Sequence, residues 1–245
     1  MRFWNWIDAS GDTENRAVLV IDSVIDSGTG WYDDAVTPRA FREELAARSG
    51  QPVQVEINSP GGDVFAGFEI YNMLRAHKGG VRVRVVGHAA SAASMVAMAA
   101  DPGELVMCRQ SAMMIHEPST YASGKRSELR EQADLLDLIL DVMVDCYMSR
   151  YAGTEEALRA MLAAETWLTP AQAAACGLCD SIEPSAEEAG ADGYAAWIPG
   201  RYAALDAGAL RERLGVARRK GAPAADAQTA KRLLDEADAL IAGMI

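Results

Sequence analysis

The sequence predicts an α/β fold built on a mainly parallel sheet, and two observations carry that expectation. Strand-like apolar runs at 17–21, 53–57, 81–86, 105–107 and 112–115 alternate with helix-period segments at 37–48, 64–76, 91–100 and 127–151, and two shorter helical stretches follow Thr154 and Pro170. Parallel strands require crossover connections, and the intervening helices supply them. The second observation is size: 245 residues, half of them apolar, suffice to bury one sizeable core with a small appendage.

The elements follow in order. Ala17 to Ile21 reads as a strand. Thr37-Pro38-Arg39-Ala40-Phe41 reads as a helix start. Val53-Gln54-Val55-Glu56-Ile57 leads into the turn Asn58-Ser59-Pro60-Gly61-Gly62. Two glycines admit positive φ and close approach, so a free N–H of Gly61 or Gly62 can face a cleft. The run 81–86 is followed by Gly87-His88-Ala89-Ala90-Ser91 and then by the Ala-rich stretch 92–100. That order places a hydroxyl at a sharp strand-to-helix junction, where the first helical N–H groups have no internal partner and the helix dipole favours negative charge. Ala112-Met113-Met114-Ile115 ends in His116, one of three histidines, and Pro118 stops the ladder, so the imidazole projects into whatever cleft lies there. The 127–151 helix carries Leu135, Leu136, Leu138, Ile139, Leu140, Val142, Met143, Val144, Tyr147 and Met148, apolar groups on nearly every side. One sheet does not use so many, and the excess predicts contact with another subunit.

A junction serine, a strand-end histidine and glycine N–H donors are the parts of a serine hydrolase: nucleophile, general base and oxyanion donors. Each part alone has a plainer role, as helix-end hydroxyl, packed histidine or simple turn. Their occurrence in one chain points to acyl transfer.

The segments 58–62, 87–91 and Met114-Ile115-His116-Glu117-Pro118 resemble, in order, the motifs of Clp-type serine proteases, self-compartmentalising peptidases with a crotonase-like fold; the likeness covers about 16–182. The resemblance implies a Clp/crotonase-like spiral of β-β-α units with a long protruding helix. It also implies that Ser91 is the nucleophile, His116 the general base and the N–H groups of Gly62 and Ala92 the oxyanion hole. Ser94 competes, because Ala92-Ala93-Ser94-Met95 resembles the family's Ala-Ala-Ser-Met string. The intervals from Gly62 to Ser91 (29 positions) and from Ser91 to His116 (25 positions) match the family without gaps, whereas Ser94 would need compensating indels and reads as a packed helix serine. Counting on to the family's aspartate reaches Glu165, a departure in length though not in charge; a helix-entry carboxylate is its plainer role. No cofactor and no metal are called for.

In the family the long helix lies between stacked rings, which implies a ring-shaped homo-oligomer, and the segment 117–125 lies near the substrate groove. Trp31-Tyr32, the helix start at Thr37 and Glu165-Thr166-Trp167 look more like the Clp-related head-maturation (prohead) proteases of tailed phages and prophages. Those enzymes are expected to cut scaffold or capsid precursors in a bacterial host cytoplasm or an assembling procapsid. The alternative is a housekeeping Clp subunit working with an unfolding ATPase. Two other classes remain, a catalytically silent shell protein and a crotonase-like acyl-CoA enzyme that needs no Ser91.

Composition narrows the partners. A net charge of −12 without a basic, aromatic-interleaved stripe disfavours nucleic acid. The longest apolar stretch, 89–100, is too short to span a bilayer, and the first ten residues lack a basic start and apolar core, so a cytoplasmic setting with reduced thiols is expected. Cys176-Gly177-Leu178-Cys179 is a lone Cys-x-x-Cys and reads as helix-end packing rather than a zinc or redox site. After Ile182 the composition shifts to Ala, Gly, Glu and Asp, with breaks at 190–193 and 221–223 and a short amphipathic helix over 230–241. The expected organisation is a protease domain, 1–182, and a C-terminal tail, 183–245.

Overall fold

The computed structural model describes residues 7–8, 16–28 and 34–184. Its elements run β1 (Ile7–Asp8), β2 (Ala17–Ile21), α1 (Pro38–Ala46), β3 (Val53–Ser59), α2 (Val64–Arg75), β4 (Val81–Ala90), α3 (Ala92–Ala97), β5 (Leu105–Met107), β6 (Ala112–Ile115), α4 (Arg126–Met148), α5 (Glu155–Ala163), β7 (Thr166–Leu168), α6 (Pro170–Ala175) and β8 (Ser181–Ile182). Thr37 caps α1 through its hydroxyl, and the Asp63 carboxylate caps α2 by accepting from the N–H groups of Phe65 (2.8 Å) and Ala66 (3.0 Å).

The sheet order is β1-β2-β3-β4-β5-β8, parallel from β2 onward, with β1 antiparallel at the edge. β4 divides its pairing. Val83–Val85 pair with β5, and His88–Ala90 pair with β6, which in turn holds β7 antiparallel. A register shift between Ile57 and Ser59 marks the same level on β3. One ten-residue strand thus enters two strand groups, and the β6–β7 pair stands over the end where the chain leaves for α3.

Alternation decides the faces of the main sheet. Val53, Val55, Ile57, Val81, Val83 and Val85 join Leu19, Ile21, Ile70, Leu74, Met95 and Met107 in the core. The opposite face carries charge. Arg84 donates to Glu56 (3.1 Å) and to both carboxylate oxygens of Glu183 (2.8 and 2.9 Å), with all three side chains largely out of water. Removing one partner of a buried ion cluster leaves the others desolvated, at a cost of about 3–5 kcal/mol. Arg84→Ala is therefore expected to lower the unfolding free energy by about that amount in urea titration; a change below about 1 kcal/mol would show that water already compensates the cluster.

Several expectations change. β1, β7 and β8 were not foreseen, because two- and three-residue strands carry no readable period. β4 extends through Gly87-His88-Ala89-Ala90, and α3 occupies only Ala92–Ala97 of the expected 91–100. α4 stops at Met148, and its apolar residues divide: Ile139, Met143, Val144, Cys146 and Tyr147 enter the chain's own core, while Leu129, Leu135, Leu138 and Val142 are exposed. Trp31-Tyr32, the breaks after Gly190 and the helix expected at 230–241 lie outside the described residues.

Candidate active site

Ser91 sits between β4 and α3 at φ 54°, ψ −128°, outside the regions that L-residues favour. Its N–H donates to the Met114 carbonyl of β6 at 2.9 Å. Since Ala90 pairs with Met114, the chain ends leaving β4 and β6 emerge side by side. His116 consequently meets Ser91, with ring Nε2 2.7 Å from the serine Oγ. The imidazole accepts there when neutral and so is placed to take the hydroxyl proton.

The glycine turn supplies the next group. Gly61 and Gly62 have φ of 88° and 143°, and main-chain atoms of Ile25 hold both sides of Gly62: the Ile25 N–H donates to Gly61 O (2.8 Å), and the Asp63 N–H donates to Ile25 O (2.8 Å). A side chain at Gly62 would overlap that Ile25 oxygen, and one at Gly61 would meet Ser91 Cβ at 2.8 Å. Among the described residues, neither the Gly62 N–H nor the Ala92 N–H donates to an acceptor. Both residues line a cleft of about 340 Å³ with Ser91 and His116. The cleft is walled by Leu135, Leu136, Ile139 and Met143 of α4, and Pro118, Ser119 and Thr120 of the irregular 117–125 segment form another side.

Glu165 lies at the corner between α5 and β7. Met113, Met114 and Ile115 pair with Leu168, Trp167 and Thr166, so one further step of this antiparallel register sets Glu165 opposite His116. Its carboxylate is exposed and makes no hydrogen bond or ion pair with the ring among the described residues. Its backbone is nonetheless distinctive: among the described residues, only Ser91 and Glu165 combine a side chain with positive φ, 54° and 50°.

The two serines separate by what they touch. Ser94 is fully buried, its hydroxyl 2.6 Å from Ser91 O and 2.7 Å from the Tyr147 hydroxyl, and it faces away from the cleft. Tyr147 had no signal in the sequence, being 53 residues from Ser94 and one apolar residue among many on its helix. Burial pushes its phenol above the ordinary range. The Cys-x-x-Cys thiols donate to main-chain carbonyls, Cys176 to Ala173 and Cys179 to Ser181, and burial pushes Cys179 up to about 11, so this thiol is a packing group and not a reactive one.

The profile of the Clp protease family matches residues 41–186. The chain belongs to the Clp protease family. Members are serine peptidases, which sets this chain apart from acyl-CoA enzymes of related fold. It is 29% identical over 184 residues to an ATP-dependent Clp protease proteolytic subunit 1 of Chlamydia abortus, covering 71% of this chain and 96% of that one. Proteolytic subunits of Deinococcus radiodurans (33% over 132 residues, 54% of this chain and 65% of the relative) and Nephroselmis olivacea (30% over 131 residues, 54% and 63%) are also similar. These Clp relatives bear the names of ATP-dependent subunits and not of head-maturation proteases, so they favour the housekeeping alternative over the phage subtype suggested by Trp31-Tyr32 and Glu165-Thr166-Trp167. Among the described residues, no helix of this Clp-family chain is long and apolar enough to cross a membrane.

Proposed function

We propose that this chain is a Clp-type proteolytic subunit that cleaves polypeptides by acyl transfer to Ser91. The observation that carries the reading is the 2.7 Å contact between His116 Nε2 and Ser91 Oγ at a residue held in a strained backbone conformation. His116 takes the hydroxyl proton as Oγ attacks the peptide carbonyl, and the oxyanion receives the N–H groups of Gly62 and Ala92. The C–N bond then breaks, His116 returns the proton to the leaving amine, and water releases the acyl group by the same route in reverse. Glu165, opposite His116 in the β6–β7 register, is the acid assigned in this reading to orient the imidazole. The apolar α4 wall makes peptides with an apolar residue before the scissile bond the first substrates to try.

Residues 1–182 form the protease domain in this reading, which Glu183 joins through Arg84, and the rest of the chain to 245 is an appended tail. The names of the relatives suggest an unfolding ATPase as partner. The narrower head-maturation role, with scaffold or capsid protein as substrate, rests on the sequence resemblance of the Thr37 helix start and Glu165-Thr166-Trp167 and is the second reading to test. Degradation of a tagged folded protein with a supplied Clp ATPase, set against cleavage of a scaffold protein without one, separates the two.

A fluorophosphonate probe tests the chemistry, because it reacts with a hydroxyl activated by a base and oxyanion donors. It should label the wild-type chain and Ser94→Ala but neither Ser91→Ala nor His116→Ala. Labelling that survives Ser91→Ala and vanishes with Ser94→Ala would overturn the assignment.

The exposed side of α4 is proposed as the contact between subunits of a ring-shaped homo-oligomer. Leu138→Asp combined with Val142→Asp should convert the assembly to monomers in light scattering, since a carboxylate buried without a partner is expensive. Met143 is no test of this contact, because it belongs to the core of its own subunit. A wild-type monomer at micromolar concentration would refute the assembly.

A further inference from the structure

Ser91 adopts an energetically costly backbone conformation that persists only where its surroundings enforce it. On the amino side, the bond from Ser91 N–H to Met114 O does so. On the carboxyl side, three donors converge on the Ser91 carbonyl oxygen: Ser94 N (2.9 Å), Met95 N (3.4 Å) and Ser94 Oγ (2.6 Å). The hydroxyl is the shortest of the three.

Proton counting fixes the direction of the remaining bond. Ser94 has one hydroxyl proton, and the Ser91 carbonyl only accepts, so that proton lies between Ser94 Oγ and Ser91 O. The Tyr147 hydroxyl, 2.7 Å from Ser94 Oγ, must then donate to it. Tyr147 is fully buried, and its raised pKa keeps that proton in place. The result is a directed chain from Tyr147 O–H to Ser94 O–H to Ser91 C=O, in which each bond polarises the next.

The Ser91 carbonyl and the Ala92 N–H belong to one planar trans peptide, so they point in opposite directions. Drawing the carbonyl inward toward Tyr147 drives the Ala92 N–H outward, into the cleft beside Ser91. The geometry points to Tyr147, acting through Ser94, as the positioning residue that aims one oxyanion donor, given Ser91 and Ala92 in the roles proposed above. α3 has only six residues and no side-chain cap, which leaves this hydroxyl pair as the added restraint on its first peptide. Tyr147 stands on α4, the helix whose opposite side is exposed.

The test is Tyr147→Phe in the full-length chain, with Ser94→Ala and the double variant beside it. An oxyanion donor acts in the transition state, so kcat should fall about tenfold, part of the roughly 10²–10³-fold lost when such a donor is removed outright, while KM stays within about twofold. A peptide aldehyde, which forms a tetrahedral adduct with the serine, should weaken by the same factor as kcat; the matching peptide amide, which binds without an adduct, should not. Ser94→Ala should still react with the fluorophosphonate, at a slower rate. The double variant leaves no orphaned hydroxyl, keeps the test open if a single variant fails to fold, and should lose no more than the worse single variant. A Tyr147→Phe chain with kcat and aldehyde affinity both within twofold of wild type, whatever its melting temperature, would show a packing role only and overturn the inference. Wild-type turnover that persists in Ser91→Ala would instead overturn the proposed function.

Discussion

Ser91→Ala is expected to leave folding and assembly unchanged and to lower kcat on a fluorogenic peptide by a factor on the order of 10⁶, as removal of an activated serine does elsewhere. The side chain at 91 contributes one hydroxyl to the cleft, while the backbone bonds to Met114 and from Ser94 and Met95 do not depend on it. His116→Ala should cost a similar factor, and the double variant no more than either single one, because base and nucleophile act as one unit. Additive losses would mean that the two residues work separately and that the 2.7 Å contact is structural.

Glu165→Gln should lower kcat by about 10²–10⁴-fold with little change in stability. The upper end is the loss seen when an orienting aspartate becomes an amide in a well-formed triad. The extra methylene, and a carboxylate that starts away from the ring, argue for less than the maximum. Glu165 shares with Ser91 an energetically costly backbone conformation and stands across the ladder from His116, a combination that packing alone does not explain. Turnover equal to wild type would place the orienting acid elsewhere or remove it from the mechanism. Melting temperatures measured alongside separate loss of charge from loss of fold.

The sheet was legible because its strands obey a period: Val53, Val55 and Ile57, and Val81, Val83 and Val85, alternate so strictly that their buried face follows directly. Ser91 and His116 were legible because each lies where a recognisable element ends, and Gly62 because paired glycines mark a turn whose backbone approaches something closely. β7 and β8 were not, since three and two residues carry no period and pair with strands far away in sequence. The α4 residues misled for a different reason. Apolarity reports that a side chain avoids water, not which body shields it, so Met143 in the core and Leu138 on the surface look alike in sequence. Tyr147 was hidden because its meaning lies in a hydroxyl 53 residues away.

The clamp that Ile25 places around Gly62 is made wholly of main-chain atoms. The side chain at position 25 is buried in the core, so an alanine scan would report the cavity it leaves there and stay mute about the clamp. The Ala92 donor is equally mute to such a scan, since its side chain is already a methyl group. Half of what this site offers a substrate is thus written in amides that every residue type but proline possesses. Only backbone chemistry, an ester in place of the amide at Ala92 or at Asp63, would make that half speak.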